Sequence, residues 1–573
     1  MIPRGVVSLF RMRPDKSSNR LLVVGCAFLL AFGVISGRLV QLARASGEIE
    51  PASPRSLAAA SSGFRPDIMD RNGELMATSI SSFSVFAEPR NIIDKDEATE
   101  LLTAVLPDLN ASELRAKLNT KKGFVWVKRF VTPREKAEVF RLGIPGVAFW
   151  PEHKRVYPNG IEAAHVLGAT NLDGVGIAGI EKYIDNQGVS ALQSFGLGQT
   201  AEDLKPLALS IDLRVQHALR EKLAWGLDRF KAKAAAGMVY DVTTGEVVGL
   251  VSLPDFDPNN PADALDPDHI NRMTVGVYEM GSTFKALTIA MALDSGKASI
   301  NSSFSTAGGV MRFGRQVIRE YHGTGRSLTV PEVFVHSSNM GSMKMALSVG
   351  VEGHKAFLRK LGQLDRMRTE LPENAAPIVP QRWGEINTAT IAFGHGLAVA
   401  PLQAVAAVGA LMNGGKLITP TFLKRTQEQA MASAPQVIKP ETSEAMRFIM
   451  RLNATAGSAR KAAVPGFFVG GKTGTAEKVI NGRYAKNRNF TTFMAVAPSD
   501  KPRYLFLTIM DEPKGIPETF GRAEAAWNSG DITGKVIEAV GPILLQPRFD
   551  PPSNPFPLMA RLRAWGSDRP QQP

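Results

Sequence analysis

The sequence predicts an α+β protein in which an antiparallel sheet flanked by helices is preceded by a second domain of strands and helices and by one N-terminal transmembrane helix. Three observations predict this organisation. The chain has 573 residues, more than a single hydrophobic core normally accommodates. Strand patterns lie at both ends of the C-terminal half, with helical patterns between them, as in a sheet covered by helices. One long apolar run follows a cationic N-terminus.

The apolar run extends from Leu21 to Leu42 and contains no charged residue before Arg38. About 22 residues, rising 1.5 Å each, cross the hydrocarbon core of a bilayer. Residues 1–20 carry a strong excess of basic over acidic side chains, which keeps an N-terminus in the cytoplasm. The sequence therefore predicts a cytoplasmic basic tail (1–20), a single-pass anchor in the cytoplasmic (inner) membrane (21–42) and an exported, periplasmic or extracytoplasmic remainder. Removal as a signal peptide stays open, because Ala43-Arg44-Ala45 resembles a cleavage site.

Composition divides the exported part into four segments. Residues 43–62 are small, polar and proline-containing, which is typical of a linker. A first folded domain is predicted over residues 63–205, where Asn72-Gly73 between two short apolar segments indicates a tight hairpin. A second is predicted over residues 206–545. Residues 546–573 form a proline-rich tail for which no structure is predicted.

The second domain supplies the predicted antiparallel sheet. A helix is predicted from Arg214 to Phe230, because apolar residues recur there at helical spacing. Residues 237–241 and 246–251 read as two strands of a hairpin, and residues 490–497 and 504–510 repeat that pattern. Helical segments between these hairpins would pack on the sheet.

The charge balance restricts the partners. The chain holds 67 Lys and Arg against 54 Asp and Glu, a net charge of +13, which permits nucleic acid, anionic lipid or an anionic polymer as partner. No zinc-ligand spacing and no basic run with interleaved aromatics is present, so nucleic-acid binding is not predicted. The single cysteine, Cys26, leaves no pair for a disulfide. His165, His336 and His395 are interpreted as structural, since no cluster of metal ligands accompanies them.

The first candidate motif is Ser282-Thr283-Phe284-Lys285, which precedes an apolar helical run. A serine and a lysine three residues apart on a helix share one face, so the amine can reach the hydroxyl. A serine hydroxyl is a weak nucleophile until an adjacent base takes its proton. Lys285 can act as that base only when neutral, which requires burial or a nearby cation. Alone, this motif also fits an ordinary surface helix.

Two further motifs follow in the same domain. In Ser337-Ser338-Asn339 a hydroxyl and an amide, expected in a loop, could relay a proton and hold a substrate amide; a helix-capping cluster is the alternative. In Lys472-Thr473-Gly474-Thr475 a cation and two hydroxyls follow an apolar segment and two glycines. This pattern indicates an edge strand, which suits a peptide substrate that ends in a carboxylate. A glycine-rich turn is the alternative interpretation.

The three motifs occur in the order found in penicillin-binding proteins and serine β-lactamases, and the sequence resembles the class B penicillin-binding proteins, in particular their division-specific peptidoglycan D,D-transpeptidases. The resemblance extends from about residue 20 to about residue 530. Its other segments are Asp70-Arg71-Asn72-Gly73-Glu74-Leu75, Tyr157-Pro158, His165-Val166-Leu167-Gly168, Gly179-Ile180-Glu181, Asn271-Arg272, Tyr278-Glu279, Phe393-Gly394-His395-Gly396-Leu397 and Pro401-Leu402-Gln403, with His336 and Met340-Gly341 around the second motif and Gly471 and Ala476-Glu477-Lys478 around the third.

The resemblance implies a fold, a set of roles and a set of partners. The second domain would have the penicillin-binding, serine β-lactamase-like transpeptidase fold, and residues 63–205 would form an elongated, non-catalytic pedestal domain of the dimerisation type. The catalytic residues would be the nucleophile Ser282, its base Lys285, and Ser337 and Asn339. Substrate would be bound by Lys472, Thr473, Gly474 and Thr475, and the backbone N–H groups of Ser282 and Thr475 would form the oxyanion hole.

The implied reaction is transfer of an acyl group from a stem peptide ending in D-Ala-D-Ala to an amine on a neighbouring strand, with no metal or other cofactor. β-Lactams would acylate the same serine. The implied partners are a membrane lipid-II polymerase and other division proteins. The alternatives are an elongation-type class B transpeptidase, a β-lactamase or carboxypeptidase that passes the acyl group to water, and a catalytically silent division scaffold.

Overall fold

The computed structural model describes residues 28–36, 65–187, 205–320, 323–480, 482–550 and Phe556. The chain forms two units, Met1–Ser61 and Ser62–Pro573. In the first unit, residues 28–36 are helical and exposed. Among the residues that the structure describes, no helix is both long and apolar enough to cross a membrane. The predicted basic tail, the linker and most of the predicted membrane anchor lie outside the described residues.

The second unit begins with the domain predicted over residues 63–205, which is built of strands and helices. The strands are β1 (Ile68–Met69), β2 (Leu75–Ala87), β3 (Val125–Val131) and β4 (Val147–Val156), and the helices are α1 (Lys95–Val105), α2 (Ala111–Leu118), α3 (Pro133–Leu142), α4 (Ala164–Leu167) and α5 (Gly179–Asn186). The next strand, β5 (Leu207–Ala208), lies just beyond the predicted boundary and pairs with β1. β2 pairs antiparallel with β1, β3 and β4. The strand pair β1–β2 confirms the predicted hairpin.

The hairpin turn is held by its own side chains. The Asp70 carboxylate accepts the backbone N–H groups of Asn72 at 2.7 Å and of Glu74 at 2.9 Å. Gly73 has φ +91°, which glycine adopts without steric cost. Asp70 also accepts the backbone N–H of Leu213 at 3.2 Å, so this turn contacts the first helix of the next domain.

Among the described residues, most buried apolar side chains of the first domain belong to two cores, while Ala164 and Ala169 form a small third cluster with Phe256 of the second domain. One core lies between α1, α2, β2 and β3 and includes Val85, Leu102 and Leu118. The other includes Ile68 and Met76 and is continuous with the core of the second domain. Parallel pairing of Ile68 with Leu207 also joins the two domains across the predicted boundary. The second core therefore belongs to both domains.

The second domain contains the predicted antiparallel sheet. Its elements begin with α6 (Leu213–Arg229), β6 (Ala234–Asp241), β7 (Val247–Leu253), α7 (Lys285–Asp294), β8 (Ser303–Ser305), β9 (Val310–Phe313), β10 (Gln316–Arg319), β11 (Ser327–Thr329) and α8 (Val330–Val335). They continue with α9 (Asn339–Val349), α10 (Val351–Lys360), α11 (Glu385–Ile391), α12 (Pro401–Met412), α13 (Gln427–Ser433), α14 (Pro440–Ala456), β12 (Gly470–Ile480), β13 (Arg483–Ala497), β14 (Tyr504–Asp511) and α15 (Ser529–Leu544). Short 3₁₀ turns occupy Asp263–Leu265, Gly281–Phe284, Arg460–Ala462 and Pro517–Thr519.

Within the described residues, five strands form the sheet in the order β12-β13-β14-β6-β7, with each adjacent pair antiparallel. β12 is thus an edge strand. Alternate residues of β14 supply both faces: Leu505 and Leu507 join the core that contains α12 and α14, and Phe506 joins the core that contains α6 and α15. The predicted α+β class with an antiparallel sheet is confirmed.

Helix α7 lies in the interior. Residues 285–292 of this helix are all buried, and the helix contacts α9, α12 and α14. Because α7 is buried on every side, its position is fixed. Its first residue, Lys285, is therefore held at a fixed place near the edge strand β12.

The described part of the predicted proline-rich tail is packed against the second domain. The Arg548 backbone N–H donates to the Gly466 carbonyl at 2.7 Å, and its guanidinium pairs with Asp500 at 2.7 Å. The Phe556 ring is buried and contacts Phe448 edge-on at 5.7 Å between centroids. Residues 546–550 and Phe556 form no helix or strand, but an ion pair and an aromatic contact hold this part of the tail against the domain.

Candidate active site

The first motif begins in a 3₁₀ turn and continues into α7. Ser282 lies in the turn Gly281–Phe284, and Lys285 is the first residue of α7. The Nζ atom of Lys285 lies 2.9 Å from Ser282 Oγ, so the predicted contact between amine and hydroxyl exists. When Lys285 is neutral its lone pair can accept the hydroxyl proton of Ser282, as base-assisted attack by a serine requires.

The second motif lies between two helices and faces Lys285. α8 ends at Val335, and Ser337 adopts the left-handed conformation with φ +55°. From there the chain enters α9, whose N-cap is Ser338 and whose first residue is Asn339. The expectation that the whole motif lies in a loop is therefore wrong for Asn339. Its N-terminal position in α9 follows from capping, since the Ser338 hydroxyl accepts the backbone N–H of Gly341 at 3.1 Å.

The left-handed turn brings several acceptors to one amine. Lys285 Nζ donates to the Ser337 carbonyl at 2.6 Å and to Asn339 Oδ1 at 2.8 Å, and it lies 3.1 Å from Ser337 Oγ. A non-glycine residue with positive φ costs free energy and persists only where the surroundings fix it. Here Ser337 is fixed by the amine of Lys285, and the strained turn directs both of its oxygen atoms into the site.

The third motif lies on the edge strand β12. Lys472 is 1% exposed, and its Nζ donates to Ser337 Oγ at 3.0 Å and to the Thr473 carbonyl at 3.1 Å. The Thr473 hydroxyl lies 2.8 Å from Ser458 Oγ, and Thr475 Oγ1 accepts the backbone N–H of Ala525 at 3.1 Å. The edge-strand alternative is thus confirmed over the glycine-rich turn.

Two glycines let β12 approach the nucleophile turn. A Cβ on Gly474 would lie 2.6 Å from the Met280 carbonyl oxygen and 3.0 Å from Thr283 Cγ2. Gly281 has φ +53°, and a Cβ there would lie 2.9 Å from the Thr475 carbonyl oxygen. Both positions lack room for a side chain, so backbone can pack on backbone beside Ser282.

Burial sets the protonation states of the two lysines. Burial lowers the pKa of Lys285 well below its ordinary value, and the neighbouring positive charge of Lys472 lowers it further, while the Glu320 carboxylate acts in the opposite direction. Burial also lowers the pKa of Lys472 to about 7. A neutral Lys285 beside a partly cationic Lys472 is therefore accessible near neutral pH. The neutral Lys285 that the first motif requires thus follows from the burial of α7.

Residues outside the three motifs also line the site. His395 is partly buried, and its burial followed by the positive charge of Lys285 lowers its pKa to about 4, so it is neutral at pH 7. The Glu279 carboxylate accepts the backbone N–H of Gly396 at 2.8 Å and the Tyr484 hydroxyl at 3.2 Å, and burial raises its pKa. The sequence marks Glu279 only through the family resemblance, and no motif marks Tyr484, because the β12–β13 hairpin brings its hydroxyl to Glu279.

The structure brings all eight predicted site residues to one place. Lys285 contacts Ser282, Ser337 and Asn339 directly, and Ser337 Oγ connects Lys285 to Lys472. Thr473, Gly474 and Thr475 continue along β12 beside the nucleophile turn. Among the described residues, no group of three or more His, Cys, Asp and Glu side chains is placed to hold a metal ion.

Comparison with known proteins covers both domains. Residues 235–535 match the penicillin binding protein transpeptidase domain, and residues 61–188 match the penicillin-binding protein dimerisation domain. A probable peptidoglycan D,D-transpeptidase FtsI of Caulobacter vibrioides is 38% identical over 492 residues, 84% of this chain and 82% of the relative. The peptidoglycan D,D-transpeptidase FtsI of Escherichia coli is 30% identical over 545 residues, 91% of each chain.

A solved structure agrees with these relatives. The apo structure of the TP domain from Burkholderia pseudomallei penicillin-binding protein 3 is 30% identical, with a TM-score of 0.53, and covers 60% of this chain and 98% of that chain. Together with the domain matches and the long relatives, it confirms the resemblance predicted from the three motifs. The chain belongs to the class B penicillin-binding proteins, the family of peptidoglycan D,D-transpeptidases that includes the FtsI proteins.

Proposed function

We propose that this chain cross-links peptidoglycan stem peptides during septal cell-wall synthesis, through an acyl-enzyme on Ser282. The observation that carries the proposal is the 2.9 Å contact between Ser282 Oγ and Lys285 Nζ, with Lys285 fully buried. Burial keeps the amine neutral enough to take the serine proton. The relatives named FtsI support the division-specific assignment over the elongation-type alternative.

The acylation half-reaction uses side chains of the first two motifs and a backbone N–H of the third. Ser282 Oγ attacks the carbonyl carbon between the two terminal D-Ala residues of a stem peptide, and its proton passes to Lys285. The oxyanion that forms is stabilised by the backbone N–H groups of Ser282 and Thr475, and such donors in a dry site lower a barrier by several kcal/mol, about 3 for one donor. The C–N bond then breaks, and terminal D-Ala leaves with a proton delivered through Ser337.

The second half-reaction runs in reverse. An amine of a neighbouring stem peptide attacks the ester carbonyl of the acyl-enzyme and loses its proton to the Lys285–Ser337 pair. The ester bond breaks, the Ser282 hydroxyl takes back a proton, and the new amide bond links two strands. Asn339 Oδ1 lies 2.8 Å from Lys285 Nζ, so Asn339 keeps the Lys285 amine aligned in both half-reactions. Its amide also binds the donor peptide.

The third motif orients the donor peptide. β12 is an edge strand, so a peptide can add to it through backbone hydrogen bonds. Lys472, Thr473 and Thr475 supply a cation and two hydroxyls for the terminal carboxylate, and Gly474 leaves room beside the nucleophile. β-Lactams carry a reactive ring amide and a carboxylate. They would bind along β12 in the same orientation and remain covalently attached to Ser282.

Membrane attachment and partners belong to the same proposal. We infer a single-pass anchor over residues 21–42 in the cytoplasmic membrane, with residues 1–20 inside and both folded domains outside, because the apolar run and its basic flank fit that orientation. A pedestal over 63–205 would carry the transpeptidase domain over 206–545. Since neither matched domain polymerises strands, a membrane lipid-II polymerase of the division machinery would supply them.

The first experiment labels the full-length chain, purified in detergent, with a fluorescent penicillin and follows the label over hours. Wild type and Ser348→Ala should carry a stable label, and Ser282→Ala should carry none. Ser348 is a matched control, because its hydroxyl donates to the Met345 carbonyl within its own helix, α9, at 2.7 Å. A folded wild type that stays unlabelled would support the silent scaffold instead, and a label that disappears within minutes would indicate a hydrolase.

A second experiment separates transpeptidation from hydrolysis. Polymerised strands with D-Ala-D-Ala stems are supplied with and without free acceptor amines, and released D-Ala is measured. We expect release to depend on the acceptor and to match the number of cross-links. Equal release without acceptor amines would assign a carboxypeptidase.

A further inference from the structure

Glu320 is an acidic residue outside all three motifs that contacts the second one. It follows β10, in the hairpin formed by β9 and β10. Its Oε2 accepts the Ser338 hydroxyl at 2.6 Å and the Met340 backbone N–H at 3.0 Å, and its Oε1 accepts the Asn339 backbone N–H at 2.8 Å. One carboxylate thus binds three consecutive residues at the N-terminus of α9.

The hairpin that carries Glu320 is itself docked on α9. Met311, Phe313 and Ile318 pack against a small apolar cluster that contains Met340 and Met343 of α9 and Phe393. The Glu320 backbone N–H also donates to the Gly309 carbonyl at 2.8 Å, which closes the hairpin around the carboxylate. Apolar contacts therefore set the distance between hairpin and helix, and Glu320 fixes the orientation of the helix end.

The orientation of that helix end determines what Lys285 contacts. Asn339 Oδ1 and the Ser337 carbonyl both lie within 2.8 Å of Lys285 Nζ, and both residues adjoin the backbone that Glu320 binds. Ser337 is also held in a left-handed conformation, φ +55°, that relaxes unless its surroundings constrain it. We propose that Glu320 is a positioning residue of the acylation reaction, which acts through the N-terminus of α9 to hold Ser337 and Asn339 against Lys285.

Charge gives Glu320 a second, measurable effect on the same amine. Among the described residues, the charged groups that act on the pKa of Lys285 are Lys472 on β12 and Glu320 beyond β10, and His395 after α11 has its own pKa lowered by Lys285. His395 is neutral near pH 7, so Glu320 is the negative charge that opposes Lys472 among these three. Removing that charge lowers the pKa of Lys285 further. Because Lys285 must be neutral to act as base, the acidic limb of the acylation rate then moves to lower pH.

The test compares two variants of Glu320 with a matched control, and it rests on the proposed acylation of Ser282. Glu320→Gln keeps the size but loses the charge, whereas Glu320→Asp keeps the charge but shortens the reach. Glu370→Gln is the control, since the Glu370 carboxylate accepts the Thr421 hydroxyl at 2.6 Å and the Phe422 backbone N–H at 2.9 Å and does not contact the site. Second-order acylation by fluorescent penicillin is measured from pH 5 to pH 9, together with the melting temperature.

We expect both Glu320 variants to acylate about 10- to 100-fold more slowly, because displacing reacting groups by about 1 Å costs rate on this scale. The acidic limb should move to lower pH in Glu320→Gln and stay in place in Glu320→Asp. Glu370→Gln should have a lower melting temperature than wild type, with an unchanged acylation rate and an unchanged acidic limb of the pH–rate profile. If Glu320→Gln does not fold, Glu320→Asp and Ser338→Ala are combined, and their losses in rate should be less than additive.

The outcomes separate this inference from the proposed function. A folded wild type without label contradicts the function itself. A labelled wild type, with Glu320 variants that acylate within twofold of it, overturns only the role of Glu320. Slower acylation with an unmoved acidic limb in Glu320→Gln, or an equal loss in Glu370→Gln, also overturns it, because the effect is then one of general stability. If the losses in acylation rate from Glu320→Asp and Ser338→Ala are fully additive in the double variant, Glu320 does not act through Ser338.

Discussion

Replacement of Gly474 by alanine tests whether the close contact between β12 and the nucleophile turn matters for acylation. The added Cβ would lie 2.6 Å from the Met280 carbonyl oxygen, 3.0 Å from Thr283 Cγ2 and closer still to Thr492 Oγ1. The threonine side chains can rotate, but the carbonyl belongs to the backbone that precedes Ser282. Relief of the clash therefore requires strand and turn to separate.

The size of that separation follows from the distances. An ordinary contact begins at 3.4 Å, so β12 must retreat by about 0.8 Å from the Met280 carbonyl. Thr475, whose backbone N–H is proposed for the oxyanion hole, is the next residue and moves with it. A misplacement near 1 Å lowers rates by up to about 100-fold, and overpacking of this kind costs about 1–3 kcal/mol of stability. We therefore expect acylation to fall about 10- to 100-fold.

The assay is the second-order rate of labelling by fluorescent penicillin, measured beside the melting temperature. Gly123→Ala is the matched control, since a Cβ there meets nothing within 4 Å and its φ is not positive. We expect Gly123→Ala to match wild type in both measurements. Wild-type acylation by a folded Gly474→Ala variant would refute the argument that this contact aligns the site.

Three other predictions follow from the structure. Ser337→Ala and Ser337→Gly should both acylate poorly, but denaturant unfolding should show the glycine variant more stable by about 1 kcal/mol, because φ is +55°. Binding of a penicillin should weaken as pH rises through about 7, where Lys472 loses its charge, whereas its methyl ester should bind equally on both sides; stopped-flow kinetics separates binding from acylation. Glu181→Gln leaves Arg65 and Arg155 without the buried carboxylate that each contacts at 2.7 Å. Its unfolding free energy should drop by about 3–5 kcal/mol, with the labelling rate unchanged at low temperature.

The chemistry of the site could be predicted from the sequence because its parts are short and local. Ser282 and Lys285 are one helical turn apart, and the spacing alone places the amine within reach of the hydroxyl. Strands were predictable for the same reason: residues 490–497 and 504–510 are apolar segments on either side of a proline-containing turn, and the structure pairs them. Features of this kind are determined by residues close together in the sequence, so the sequence alone is enough to predict them.

Other features depend on contacts between distant segments and leave no local pattern. Glu320 precedes Ser338 by 18 residues and lies in an exposed hairpin rich in arginine, so its sequence context resembles any polar loop. Tyr484 reaches Glu279 only because the β12–β13 hairpin folds back over the site. The structure of the tail around Arg548 was missed because Asp500, its partner, lies on a turn 48 residues away. A chemical motif would have found none of these three.

The two cores of the first domain divide the chain differently from its domain boundary. Ile68 and Met76 are buried together with residues of the transpeptidase domain, whereas Val85 and Leu102 belong to a separate core. β2 connects the two, and its middle is exposed around Ile80. The segment exchanged in a functional chimera of two relatives should therefore end within β2 and β4, not near residue 205. A chimera joined at residue 205 would build the shared core, which contains Ile68 and Met76, from the residues of two different relatives. The core residues on the two sides of the junction would then have to be matched to each other.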